Sequence, residues 1–235
     1  MKYSLDTSVA VAYAVGATDL FYPECRDFIC QNSDLSFLVP EAIKEFELVI
    51  EGIGADDPDY RGIRERIVTD IVEITIRAEE ANMQGTSFRP AAIRGIMPSM
   101  TSQHTIRAIE SSAGSCNSWS ELTGLLRTAA LDFETGLIIR KERLFSGVNR
   151  VLLTAEEEEH SSRKTEEIRA LLPEGGRSWA RDSRIAAETD AVAARKPELP
   201  GPALVTVETG GHFKTRKAQI LRLTRISEIR PCGKD

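Results

Sequence analysis

The sequence predicts an α/β fold: a central parallel sheet flanked by helices, with a large, mainly helical insertion. Three observations carry that expectation. Apolar runs that read as buried strands stand near both ends of the chain, Lys2-Tyr3-Ser4-Leu5 and Ala203-Leu204-Val205-Thr206-Val207, and each leads into an acid. Between them, apolar residues recur at three- and four-residue spacing over long stretches, the period of amphipathic helices. Breaks at Gly52 to Pro58 and at Pro173 to Gly176 bracket the helical part, placing a core in residues 1–55 and 178–235 and an insertion in 56–177.

Each element has a local reason. The strand over 2–6 delivers Asp6 to a helix from Ser8 to Val15, and a second helix follows from Pro23 to Gln31. A short strand over 36–39 meets Pro40, which suits a first helical turn, and the helix runs from Glu41 to Glu51. Between Pro58 and Gln84, Ile63, Ile67, Ile71, Ile74 and Ala78 define one helical face. A helix after Pro90 carries Ile93, Ile96, Met97 and Met100. A third, from Ser118 to Leu144, turns Leu122, Leu125, Leu126, Ala129, Phe133, Leu137 and Ile138 inward.

Val148 to Leu153 reads equally as a strand or as the end of that helix. Glu156 to Glu159 open a helix through Leu172, their carboxylates at the favourable end of its dipole. The core pattern resumes at Ser178, and Ala218 to Leu223 reads as an edge strand.

At 235 residues and 41% hydrophobic content the chain is long and apolar enough for a real core. No apolar run approaches the roughly 20 residues that span a bilayer, and the N-terminus lacks a signal-peptide pattern, so a cytoplasmic protein with no membrane partner is expected. The four cysteines, Cys25, Cys30, Cys116 and Cys232, are scattered and read as structural thiols. Net charge is −6, unevenly spread: residues 1–55 carry 3 Lys and Arg against 9 Asp and Glu, whereas residues 178–235 carry 11 against 7.

Four acids end segments that read as strands or helix turns: Asp6, Glu45, Asp182 and Glu208. Carboxylates that converge from distant parts of a chain hold Mg²⁺ or Mn²⁺ against a phosphodiester. Each also has a structural reading. Asp6-Thr7-Ser8 suits a helix cap. Glu45 competes with Glu41 and Glu47, and Asp182 with an ion pair to Arg181 or Arg184. Beyond Glu208, His212 reads as a loop residue or a phosphate contact. Lys214, Arg216, Lys217, Arg222 and Arg225 read as a solvated face or a phosphate-tracking strip.

The order of these pieces resembles the PIN domain, a nuclease fold of toxin–antitoxin toxins and RNA-processing enzymes. The matching segments are Leu5-Asp6-Thr7-Ser8, Pro40 with Glu45, Asp182-Ser183-Arg184-Ile185-Ala186-Ala187, and Leu204-Val205-Thr206-Val207-Glu208 with His212-Phe213 beyond. Glu208 stands where the family usually carries Asp, and the stretch between Glu45 and Asp182 is longer than a compact PIN domain needs.

The resemblance implies a PIN-like sheet and a metal-dependent endoribonuclease that hydrolyses phosphodiester bonds. Asp6, Glu45, Asp182 and Glu208 would be its catalytic and metal-binding acids, with Mg²⁺ or Mn²⁺ as cofactor. His212, Lys214, Arg216 and Lys217 would contact an RNA substrate. It also implies pairing as a homodimer, through faces such as Leu122, Leu125 and Leu126, or an antitoxin or other protein partner. Burial of those leucines within one subunit is the simpler account. The competing class is a catalytically silent module that keeps the fold and binds RNA or protein.

Overall fold

The computed structural model describes residues 1–99, 101–207 and 211–232. In chain order the elements begin with β1 (Tyr3–Leu5), α1 (Thr7–Val15), α2 (Tyr22–Asn32), β2 (Ser36–Leu38) and α3 (Pro40–Glu51). The helices α4 (Ile63–Met83), α5 (Pro90–Ile96), α6 (Gln103–Ala113) and α7 (Trp119–Gly147) follow. The chain then forms β3 (Asn149–Arg150), α8 (Ala155–Arg169), α9 (Gly176–Ala193), β4 (Ala203–Thr206), α10 (His212–Thr215), α11 (Lys217–Leu223) and β5 (Glu228–Pro231).

The strands make one five-stranded, all-parallel sheet in the order β3-β2-β1-β4-β5. The fold is therefore α/β. The chain moves outward from β1 to β2 and β3, then returns to place β4 and β5 on the other side. Tyr3 aligns with both Ser36 and Ala203, so β1 is central, and Leu5, Phe37, Leu38, Leu204 and Val205 are buried. Such a sheet is covered on both faces, which is why its strands read as apolar runs. Helix α1 shows the same cause: Val9, Ala10, Ala12, Tyr13 and Ala14 are all buried, leaving the helix little polar face.

The chain divides into two compact units. Met1–Ala14, Phe21–Glu47 and Lys141–Asp235 hold the sheet, whereas Val15–Leu20 and Leu48–Arg140 form a helical unit. Residues 141–177, grouped with the insertion on sequence, thus lie in the sheet unit, since β3 pairs with β2 and α8 packs along α9. In the helical unit Ile63, Ile67, Ile71, Ile74 and Ala78 form the buried face of α4. Leu122, Leu126, Phe133 and Leu137 are buried on α7, but Ile138 is exposed. Trp119 donates through Nε1 to the Thr86 carbonyl at 2.7 Å and meets Phe88 edge-on.

Two elements differ from the sequence expectation. Ala218 to Leu223 is helical rather than an edge strand: Ala, Gln, Leu and Arg favour helix, and Ile220 alone of that stretch turns fully inward. The outer strand is β5 instead, where Ile229 is buried and Pro231 is tolerated because an edge needs no further donor. After Pro90 the helix stops at Ile96, before Pro98, and α6 starts afresh at Gln103; Met100 lies outside the described residues. Val148 to Leu153 contains the strand β3.

Two local devices fix how α8 and β5 enter the unit. Thr154 and Glu157 form a reciprocal capping box at the start of α8, and Arg195, just past α9, grips the Glu157 carboxylate with Nε at 2.6 Å and Nη2 at 2.8 Å. Gly201 lies against the segment between α11 and β5: a Cβ there would fall 1.5 Å from the Arg225 carbonyl oxygen, so only glycine fits. The Arg195 guanidinium holds Glu157 down to about 2. A depressed carboxylate stabilises the fold above its ordinary range and loses that contribution as pH falls toward its folded value. Urea unfolding at neutral pH is expected to show Thr154→Ala less stable by about 1 kcal/mol. Between pH 4.5 and 2, Glu157→Gln is expected to flatten the acid loss of stability only slightly, because the pair is partly exposed.

Candidate active site at the sheet switch point

In an open parallel sheet, ligands bind beyond the carboxyl ends of the strands where the strand order reverses. Here that point lies between β1 and β4. Asp6 is the first residue past β1, and its N–H donates to the Val205 carbonyl at 2.9 Å, extending the pairing with β4. The Asp6 carbonyl accepts from Val9 at 3.1 Å, which starts α1. Its carboxylate, only 5% exposed as a residue, accepts the Ser8 hydroxyl and the Thr206 hydroxyl, the latter at 3.0 Å. Ser8 Oγ in turn accepts from the Val207 N–H at 3.3 Å. Burial pushes the Asp6 carboxyl up, and the hydroxyls and backbone amides of Thr7 and Ser8 oppose that shift.

Glu45 reaches the same place from α3. The Thr7 hydroxyl donates to its Oε2 at 2.8 Å, and Arg181 Nη1 lies 3.4 Å from Oε1. Burial raises the Glu45 carboxyl, and the neighbouring Asp6 charge adds to the rise. Two carboxylates thus repel one another in a setting poor in water, with one half-exposed guanidinium as counter-charge.

Asp182, on α9, is buried and faces His212, whose Nδ1 lies 2.7 Å from Oδ2. Trp179, one turn earlier, packs edge-on against the His212 ring at 5.2 Å. Thr7 and Arg181 thus bring Asp6 and Glu45 together, whereas Asp182 and His212 form a pair of their own on α9 and α10. Glu208 lies outside the described residues. Lys214 and Lys217 are exposed on α10 and α11, whereas Arg216 is half-buried with its Nε lacking a hydrogen-bond partner.

Sequence reasoning missed the roles of four residues. Arg181, one of two arginines that competed for Asp182 in the structural reading, turns to Glu45 instead, because consecutive helix residues point about 100° apart. Ser8, in the segment that suits a helix cap, and Thr206, at the end of β4, both place their hydroxyls on Asp6. Glu188, 2% exposed, accepts from the Glu41 N–H at 2.8 Å and from Arg184 Nε at 2.8 Å. Its carboxylate therefore caps α3 from α9 and sets the position of Glu45. A carboxylate among apolar residues was the available signal.

Asp6 and Glu45 fit a hard divalent cation: both offer oxygen, and a positive charge would relieve both burial and mutual repulsion. Asp182 engages His212 through Oδ2 alone. Among the described residues, no three His, Cys, Asp or Glu side chains form a group that could hold a metal. Compared with known proteins, the chain matches no family model, no curated protein and no solved structure.

A raised carboxyl favours the fold while protonated and loses that contribution as pH rises through its folded value. Raising the pH therefore removes the stability that the protonated Asp6 carboxyl contributes. Without divalent ions, Asp6→Asn is expected to be more stable than wild type by about 1 kcal/mol in urea unfolding at pH 7, with the gap closing toward pH 3. Lower stability of the variant at pH 7 would show that the hydroxyl pair outweighs the burial cost.

Proposed function

We propose that the chain is a divalent-metal-dependent endoribonuclease of PIN-like layout. The observation that carries this reading is the pair of mutually repelling carboxylates, buried Asp6 and half-buried Glu45, at the switch point of a parallel sheet. The strand order and the delivery of Asp6 by β1 and Asp182 by α9 are compatible with that layout. Asp6 and Glu45 hold the cation, with Asp182 and Glu208 as the further acids that the resemblance assigns.

Mg²⁺ or Mn²⁺ held by Asp6 and Glu45 would supply a water that loses its proton readily and would stabilise charge on phosphate oxygens. The protein's own groups do the rest. Ser8 and Thr206 fix the Asp6 carboxylate, and Thr7 fixes that of Glu45. Arg181 places a guanidinium beside them for a phosphate oxygen. His212 is held by Asp182 and Trp179, and Lys214 and Lys217 are exposed on α10 and α11, where they would meet the RNA backbone.

A specific observation favours a second reading, a silent RNA-binding or protein-binding module. The Asp6 carboxylate already accepts two hydroxyls and nearby amides, and Asp182 is occupied by His212. An antitoxin-type partner rests on the resemblance alone. Among the described residues no helix is long and apolar enough to cross a membrane.

The deciding experiment is cleavage of structured and unstructured RNA with Mg²⁺ or Mn²⁺, comparing wild type with Asp6→Asn. The expected outcome is metal-dependent cleavage that falls at least a hundredfold in the variant, together with a Mn²⁺-induced rise in wild-type Tm that the variant lacks. Full cleavage by Asp6→Asn would overturn the assignment, and folded wild type that binds RNA without cutting it would establish the silent module.

A separate expectation concerns substrate. Lys214→Glu with Lys217→Glu is expected to weaken RNA binding roughly tenfold or more and to reduce the salt slope by about 2. An unchanged slope would remove these lysines from the interface.

A further inference from the structure

A cavity of about 700 Å³ opens at the end of the sheet opposite to Asp6. Its wall runs from Lys2, before β1, past Phe37 in β2 and Val151 beyond β3, to Pro202 before β4 and Val192 near the end of α9. The volume falls in the range of small-molecule sites, and the wall is mainly apolar. Two large apolar side chains on it, Leu35 and Leu199, are 46% and 55% exposed. Water against such a concave apolar wall is unfavourable, and an apolar ligand would displace it.

Charge selects the kind of ligand. Lys2, Lys196 and Arg195 line the cavity against one wall acid, Asp34. Arg195 is committed to Glu157. Lys2 and Lys196 are exposed, and neither makes an ion pair with the described residues. The polar wall groups Ser36 and Asn149 are already engaged, Ser36 with the Asn32 carbonyl and Asn149 with the Ser36 carbonyl. Asp34 is likewise exposed and without an ion pair among the described residues, so the uncommitted wall charges are two lysines against one carboxylate, a balance that favours an anion.

We propose that this cavity binds a small amphipathic anion, an apolar chain or ring bearing one carboxylate. The apolar body lies against Phe37, Val151 and Val192, and the carboxylate meets Lys2 and Lys196. The site is separate from the acids at the switch point and stands whether or not the chain cleaves RNA.

Calorimetric titration of the full chain with decanoate and with 1-decanol tests it. Decanoate is expected to bind once per chain, with 1-decanol at least tenfold weaker. Val192→Trp fills the cavity and is expected to abolish binding; Ala193→Leu serves the same purpose should the tryptophan variant fail to fold. Lys2→Glu with Lys196→Glu is expected to weaken decanoate at least tenfold and leave 1-decanol unchanged. No saturable decanoate binding, equal binding of the alcohol, or indifference to every variant would each overturn the proposal. So would a dimer in light scattering that Val192→Trp dissociates and decanoate does not, which would make this face an interface between copies of the chain.

Discussion

The burial of the Asp6 carboxylate is the constraint on which the sheet unit depends. An ionised group withdrawn from water must be met by donors, and here they come from the two elements that flank it. Ser8 belongs to α1 and Thr206 to β4, so one carboxylate ties the strand that enters it, the helix that leaves it and the neighbouring strand across the sheet. The backbone repeats the connection, because the Asp6 N–H pairs with Val205 while its carbonyl begins α1. Charge, strand pairing and helix initiation are fastened at a single residue.

Helix α9 carries the complementary arrangement. It buries a polar side that most cores avoid, and each polar group on that side has a distinct partner. Thr189 meets Ser4 on β1, Glu188 meets the backbone at the start of α3, Asp182 meets His212, and Asp190 meets His160 on α8 and the Arg225 N–H before β5. Because these bonds reach five different parts of the sheet unit, the rotation of α9 about its axis is fixed by more than apolar packing. The same rotation decides that Arg181 faces Glu45.

The sequence made the architecture legible wherever a period or a chain break was the physical cause. Apolar strands ending in acids, the α4 face from Ile63 to Ala78 and the Pro40 helix start were all readable, because each depends on neighbours within a few residues. Ala218 to Leu223 was misread because a short apolar stretch fits either period, and the choice fell to Ile220 packing inward. At the candidate site, the positions of Asp6, Glu45 and Asp182 were legible but their partners were not. Glu188 and Glu41 are 147 residues apart, and Arg181 and Glu45 are 136 apart. Such pairs are set by how distant elements dock, which no local pattern encodes.

The two outer strands have a consequence for how the molecule behaves among copies of itself. A sheet margin with free donors and acceptors is a template for intermolecular pairing. Here β3 offers only Asn149 and Arg150, both exposed and polar, and β5 ends on Pro231, which has no N–H to give. The sheet therefore closes its margins by shortness on one side and by an absent donor on the other. A chain so terminated resists ordered strand-by-strand aggregation even when concentrated.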